Sequence, residues 1–204
     1  MNQSVDQLLE DARSGTSEPL GQLLQCYQNY LTILAATQLS DRLRKRVSPS
    51  DVVQEAMLAA HRDFGKFRGQ TEPEFLAWLR KVLLNTIHHT VDAHVKAQRR
   101  DLRREVSIEQ VQKSVDESAA NLAQILPDPG PSPSTPVKRH ETAVVLANRL
   151  AKLRPHYRDV IILRTLQGMS FDEVAKTMER SPGAVRMLWL RAIEKLKKIC
   201  DQDE

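Results

Sequence analysis

The chain has 204 residues, of which 4% are aromatic and only 7 are glycines, and it is rich in Ala, Leu, Glu, Lys, Arg and Gln. This composition favours helices over sheets, so we expect an all-α protein with one or two modest cores. No apolar run approaches the roughly 18 residues of a membrane span, and the first residues lack a signal-peptide pattern. Cys26 and Cys200 stand far apart without metal-ligand spacing, so we expect a reducing, cytoplasmic location and no membrane contact.

The charge is distributed unevenly along the chain. Residues 41–104 carry 14 basic and 8 acidic side chains, and residues 137–199 carry 14 and 6. Residues 105–136 between them carry 1 basic and 5 acidic side chains. Two basic blocks around an acidic connector indicate two separate contacts with a polyanion, with ordinary surface charge as the plainer alternative.

The first part of the chain is predicted to form three helices. Two lie in residues 5–39, around a break at Gly15–Pro19, and the third runs from Asp51 to about Phe64. The face of the third helix predicted to point inward carries Val53, Met57, Ala60 and Phe64. The opposite face carries Asp51, Gln54, Glu55, Leu58 and Arg62. Such an acid–amide–acid row with a leucine could dock a protein, but from this helix alone a solvated face is the plainer reading.

A loop at residues 67–70 precedes a capping box at Thr71–Glu74. This box predicts a long helix that runs to about Arg100 or Arg104. Trp78 at this spacing is predicted to be a packing residue, although an aromatic ring beside basic side chains could also stack on a ligand. The buried stripe of this helix is predicted to consist of Phe75, Leu79, Val82, Leu83, Ile87 and Val91.

Three histidines of the same helix are candidate metal ligands. His89 and His94 are five residues apart rather than four, and His88 can instead pair with Asp92, so the spacing does not favour a metal. The chain has no phosphate-binding loop, nucleophile elbow or metalloprotease motif. We therefore expect no metal, no cofactor and no catalytic residue, and a protein that is not an enzyme.

A Pro-rich segment divides the chain. The run LPDPGPSPSTP at residues 126–136 is predicted to form neither a helix nor a central strand. With the acidic stretch before it, this run makes residues 105–137 a predicted flexible linker between domains at 1–104 and 138–204. A helix from about Lys138 to Leu153 is expected to open the second domain.

Residues 155–199 have the pattern of a helix-turn-helix. Gly168 ends one apolar-periodic stretch, a capping box at Ser170–Glu173 opens the next, and Ser181 followed by Pro182 opens a third. The last helix of this plan enters the DNA major groove. Its buried stripe is predicted to consist of Val185, Leu188, Ala192, Leu196 and Ile199.

The motifs DVVQEAMLAAHRDF, FRG at 67–69 and EFLAWLRKVLLNT at 74–86 occur in this order before the helix-turn-helix. In this combination the chain resembles the extracytoplasmic-function (ECF) sigma factors of bacterial RNA polymerase, over roughly residues 20–104 and 138–199. The resemblance implies two small helical domains and a subunit that binds core polymerase, directs it to promoters and helps to open the DNA. Its partners would be core polymerase and promoter DNA, both as duplex and as melted single strand. Many members of the family are held inactive by an anti-sigma factor, which adds such a protein to the candidate partners.

The resemblance also implies roles for particular residues. The face that grips the polymerase would comprise Asp51, Gln54, Glu55 and Leu58. The loop from Phe67 to Glu74 would form a pocket for an extruded base, and Asn85 would read a base edge. Candidate DNA contacts are Arg68, Arg80, Lys81, Asn85, Lys96, Arg99, Arg100, Ser181, Arg186 and Arg191.

The last helix departs from the family pattern. It carries Met187, Leu188 and Leu190 where the family usually has polar or basic residues. We therefore expect sparse direct readout there, with DNA shape or backbone contacts carrying more of the recognition.

Two alternatives remain at the level of sequence. One is a free-standing helix-turn-helix regulator that binds duplex operators. The other is a metal-dependent enzyme that uses the histidine cluster.

Overall fold

The computed structural model describes residues 4–15, 17–39, 46–97, 117, 118, 121, 125 and 136–203, with side chains for all of these except 94–97 and 136–140. Within these ranges every regular element is a helix, which confirms the predicted all-α class. None of the described helices is long and apolar enough to cross a membrane. The helices are α1 (Val5–Arg13), α2 (Ser17–Gln38), α3 (Pro49–Asp63), α4 (Glu72–Ala97), α5 (Pro136–Ala151), α6 (Pro155–Ile161), α7 (Phe171–Thr177) and α8 (Pro182–Gln202).

The chain divides into two compact units, Met1–Val115 and Asp116–Glu204. In the first unit, α2 packs against α1, α3 and α4, and α3 also packs against α4. The core of this unit is built on α2, whose Leu23, Tyr30 and Leu34 are fully buried. Burial of these side chains is the main free-energy gain of the unit.

Helix α3 begins two residues earlier than predicted, because Ser48 caps it and Pro49 occupies its first turn. The buried face also differs from the prediction. Val53 and Ala60 are buried as expected, but Met57 and Phe64 are only half-buried, and the remaining buried positions are Val52 and Ala56. The reason is that α3 packs against two helices, so its buried arc is wider and turned relative to a single-sided stripe.

Helix α4 is described as far as Ala97, so its predicted end at Arg100 or Arg104 lies outside the described residues. Val82 and Val91 of the predicted stripe are half-buried rather than buried. This helix contacts α1, α2 and α3, which widens its buried face beyond one stripe. The buried residues are Phe75, Leu76, Leu79, Leu83, Leu84, Thr86 and Ile87.

An aromatic cluster joins the end of α3 to the start of α4. The ring of Trp78 lies 5.3 Å from that of Phe67, 5.7 Å from Phe75 and 6.2 Å from Phe64, measured between centroids. Such tilted and edge-on ring pairs stabilise the fold by more than their buried area alone would provide. Trp78 is therefore a packing residue, as predicted, and the cluster lies directly under the loop at residues 67–70.

The second unit contains α5 to α8, with α8 packed against α5, α6 and α7. The Pro-rich run was predicted to contain no helix, but its last residue, Pro136, begins α5, since a proline fits the first helical turn. Helix α6 continues as a π-helical segment, Ile162–Leu166. Gly168, two residues after this segment, has a φ of 68°. That left-handed conformation suits glycine.

The starts of α7 and α8 are as predicted. Ser170 and Glu173 form a reciprocal capping box, and Ser181 Oγ accepts a hydrogen bond from the Ala184 amide at 3.3 Å. The buried stripe of α8 ends differently, because Cys200 is buried and Ile199 is half-buried. Asp203 ties the end of α8 to α5, with Oδ2 2.8 Å from Lys152 Nζ and 3.7 Å from Arg149 Nε.

A hydrogen bond between α2 and α4 yields a test of the first unit. Tyr27, 1% exposed, donates its hydroxyl to Glu72 Oε1 at 2.7 Å. Burial, together with the Glu72 carboxylate, raises the pKa of the Tyr27 hydroxyl far above its ordinary value, so it stays a donor. We expect Tyr27→Phe to lower the free energy of unfolding by about 1–2 kcal/mol, because the bond to a carboxylate is lost.

The measurement is urea unfolding of the full chain, monitored by Trp78 fluorescence. A Trp189→Phe background removes the tryptophan of the second unit, so that the signal comes from the first unit alone. Tyr157→Phe is the matched control, since the second unit holds that half-buried ring against His156 and Lys195. A Tyr27→Phe midpoint equal to that of the control would show that the bond contributes nothing.

Candidate protein and nucleic-acid interfaces

The outward face of α3 brings together four of the residues singled out from the sequence. Ser48 Oγ accepts from the Asp51 amide at 3.1 Å, and this cap fixes the residue at which the helix begins. With Val52, Val53 and Ala56 turned into the core, the outward side chains are Asp51, Gln54, Glu55 and Leu58. Leu58 is 72% exposed.

This row has the chemistry of a protein-docking surface. An apolar anchor surrounded by hydrogen-bonding groups is the usual anatomy of a binding patch, with the anchor contributing most of the energy. Asp51 lies in the first turn, where the helix dipole favours a negative charge. The remaining residue of the predicted face, Arg62, pairs with Asp63 at 3.3 Å and so belongs to the helix end.

The loop between α3 and α4 has a fixed shape. Glu74 Oε2 accepts from the Gln70 amide at 2.7 Å, the Thr71 amide at 3.1 Å and the Thr71 hydroxyl at 3.0 Å. These bonds hold the pKa of Glu74 below its ordinary value. Arg68 Nη1 donates to the Gly65 carbonyl at 2.8 Å, so this predicted DNA contact also braces the turn before the loop.

Gly69 is required by close packing within the loop. A Cβ at this position would lie 2.5 Å from Phe67 Cζ and 2.8 Å from Glu74 Cβ. Since real Cβ contacts are not that short, any other residue here would displace the Phe67 ring or the start of α4. The glycine of the FRG motif therefore keeps the loop close to the aromatic cluster.

A cleft of about 540 Å³ opens beside this loop. Its walls combine aromatic rings with cations, and Arg13 lies over the Phe67 ring at 5.9 Å. Arg13 and His61 come from α1 and α3, and no sequence signal connected them to the loop, because only the tertiary fold brings these elements together. The lining includes Arg13, His61, Phe64, Phe67, Arg68 and Gln70.

The candidate DNA contacts of α4 separate into three groups. Lys81 and Asn85 are exposed and, being four residues apart, lie on one face. Arg80 is half-buried and donates to the Tyr30 hydroxyl at 3.3 Å, so its guanidinium is held against α2. The Lys96 side chain and both Arg99 and Arg100 lie outside the described residues.

The outward face of α8 carries the remaining candidates. Ser181, Arg186 and Arg191 are all exposed. The Arg186 guanidinium lies 5.5 Å from the centroid of the Phe171 ring, an attractive cation–π distance that orients it. Trp189 donates Nε1–H to Thr165 Oγ1 at 3.4 Å and packs edge-on against Phe171, so it is a packing residue.

Among the residues with described side chains, no group of three or more His, Cys, Asp or Glu side chains could hold a metal ion. His88 is half-buried and His89 is exposed, whereas the His94 side chain lies outside the description.

Comparison with known proteins places the whole chain in one group. A family model described as "ECF sigma factor" matches residues 2–202. The RNA polymerase sigma-H factor of Pseudomonas aeruginosa is 26% identical over 193 residues, which cover 94% of this chain and 91% of that protein. The ECF RNA polymerase sigma-E factor of Escherichia coli K12 is 28% identical over 199 residues, covering 94% and 92%.

A solved structure is also similar in sequence. The structure of CnrH in complex with the cytosolic domain of CnrY shares 24% sequence identity, covers 98% of each chain and has a TM-score of 0.34. The matches to sigma factors do not favour the alternative of a free-standing regulator, and members of this family are transcription initiation factors rather than enzymes. Because the family model spans nearly the whole chain, the chain belongs to the ECF sigma factors, the subunits that direct RNA polymerase to promoters.

Proposed function

We propose that the two units divide the work of promoter recognition. Residues 1–104 bind core polymerase, take hold of the promoter element nearest the start site and help to melt it. Residues 138–204 read the upstream element as duplex, and residues 105–137 link the two. The protein works in the cytoplasm without a metal or cofactor, and the polymerase carries out the chemistry.

The polymerase-binding face is the row Asp51, Gln54, Glu55 and Leu58. The observation that carries this assignment is Leu58, a large apolar side chain that is 72% exposed at the end of a polar row. The other apolar residues of α3 are buried or half-buried, so folding of the chain does not explain why an exposed leucine stands here. Docking against a second protein does, because burial of a leucine contributes about 1.5–3 kcal/mol.

Promoter melting is assigned to the loop, the cleft and the exposed side of α4. A melted strand needs a site for an extruded base and cations for its phosphates. The cleft has aromatic walls and carries Arg13 and Arg68, and Lys81 and Asn85 are exposed on α4. Lys96, Arg99 and Arg100 are proposed to continue it toward the linker.

The upstream element is assigned to α8. Arg186 and Arg191 are the candidates for guanine edges or phosphates, and the capped N-terminus at Ser181 can approach a phosphate. An anti-sigma factor is a further proposed partner, consistent with the family, and the polymerase-binding face is one surface that such a protein would need to cover.

The docking assignment predicts a loss of polymerase binding. We expect Asp51→Ala/Gln54→Ala/Glu55→Ala, and Leu58→Ala alone, to weaken binding to core RNA polymerase by about tenfold or more. Binding is measured with fluorescently labelled full-length protein and purified bacterial core enzyme. The matched control is Glu18→Ala/Gln22→Ala/Gln25→Ala on the exposed side of α2, which should bind as wild type does. Wild-type affinity in both α3 variants would refute the docking face.

The loop assignment predicts a specific defect in DNA opening. Gly69→Ala must displace Phe67 or the start of α4, so we expect holoenzyme assembly to persist while permanganate reactivity of promoter thymines falls severalfold. Gly21→Ala on the exposed side of α2 is the control, because a Cβ there meets nothing within 4 Å. Equal opening by the two variants would remove the loop from the melting step.

The assignment of α8 predicts a defect in promoter choice. Arg186→Ala and Arg191→Ala should each reduce run-off transcription from the cognate promoter. Where the residue contacts a base edge, the free energy of promoter binding should become less favourable by about 1–3 kcal/mol. Binding to core polymerase should be unchanged, and the exposed Lys197→Ala, further along the same helix, should transcribe normally. Parallel losses of core binding and transcription would contradict the assignment.

A further inference from the structure

Helix α8 exposes two large apolar side chains on its outward face. Met187 is 51% exposed and Leu190 is 53% exposed, whereas Val185 and Leu188 in the same turns are buried. The two exposed residues are three positions apart, so they lie on one side of the helix about 4.5 Å apart along its axis. They form an apolar patch near the capped start of α8, the helix that is proposed to read DNA.

Positive charge borders this patch on both sides. At about 100° per residue, Arg191 lies on one flank of Met187 and Arg186 on the other. The Phe171 ring, 5.5 Å away, orients the Arg186 guanidinium. The basic block at residues 137–199 carries 14 basic against 6 acidic side chains. An apolar patch between cations is complementary to an apolar group that is itself framed by phosphates.

The patch ends at a charged pair. Glu194, one turn beyond Leu190 on the same face, binds Lys198 Nζ at 2.8 Å, and this contact holds the pKa of Glu194 below its ordinary value. A carboxylate there repels phosphates, so the part of the helix that can lie in a groove is the part from Ser181 to about Arg191.

Within the major groove, the C5-methyl of thymine is the apolar group that base edges offer, and apolar side chains recognise it. Successive bases of one strand are about 3.4 Å apart, close to the axial separation of the two side chains. We propose that Met187 and Leu190 read thymine methyl groups on neighbouring base pairs of the upstream promoter element, an inference that rests on the proposed function of α8. Such contacts add apolar direct readout to the shape and backbone contacts expected from the sequence.

The test removes the methyl from the DNA and the side chain from the protein. Holoenzyme is reconstituted from core polymerase and the full chain, and promoters are found by genomic run-off transcription. Each thymine of the upstream element is then replaced by deoxyuridine, which keeps every hydrogen bond and lacks only the methyl. We expect a loss of about fourfold in promoter binding at one or two thymines, the effect of burying one methyl group.

The matching protein variant is Met187→Ala/Leu190→Ala, which completes a double-mutant cycle with the deoxyuridine promoters. The penalty for deoxyuridine should disappear in this variant, since the coupling between the groups is gone. Val145→Ala is the matched control, because Val145 is 47% exposed on α5 of the same unit, and it should keep the full penalty.

Three results would overturn the proposal. The first is an upstream element in which no thymine shows a deoxyuridine penalty, and the second is a penalty that survives in Met187→Ala/Leu190→Ala. The third is a variant that loses core binding while its discrimination is unchanged, which would make the patch a protein-docking surface. If the wild-type holoenzyme initiated at no promoter, the proposed function itself would be refuted. This inference, which rests on it, would then fail as well.

Discussion

The packing of α3 between α2 and α4 determines how the first unit can be used. Val52, Val53, Ala56 and Ala60 are small enough for the helices to approach closely, and their burial fixes the rotation of α3 about its axis. Once that rotation is set, Leu58 and the polar row must point to solvent. The end of α3 likewise determines where the loop at residues 67–70 begins, and therefore where the cleft lies.

In the second unit, too, core packing determines which side chains face outward. Val185, Leu188, Ala192 and Leu196 anchor α8, so the outward face is fixed by core burial rather than by contacts of its own. A reading surface on a rigid helix needs no ordering on binding, which lowers the entropic cost of recognition. The Asp203 contacts with Lys152 and Arg149 join the far end of α8 to α5.

Features that depend on neighbours in the chain could be predicted from the sequence. The capping box at Ser170–Glu173 and the cap at Ser181 involve side chains three residues from their partners, so their spacing alone identifies them. The bond between Tyr27 and Glu72 spans 45 positions and had no local signal. The same holds for Arg13 beside Phe67 and for the hydrogen bond between Arg80 and Tyr30. The inward face of α3 was misassigned in part because burial depends on how many helices surround it.

The central claim is that the two outward faces have separate partners, polymerase for α3 and duplex DNA for α8. It is tested most directly by placing a photocrosslinking amino acid at position 58 in one variant and at position 190 in another, within a holoenzyme bound to its promoter. The account predicts that position 58 labels core polymerase and that position 190 labels upstream promoter DNA. Labelling of DNA from position 58, or of polymerase alone from position 190, would contradict it.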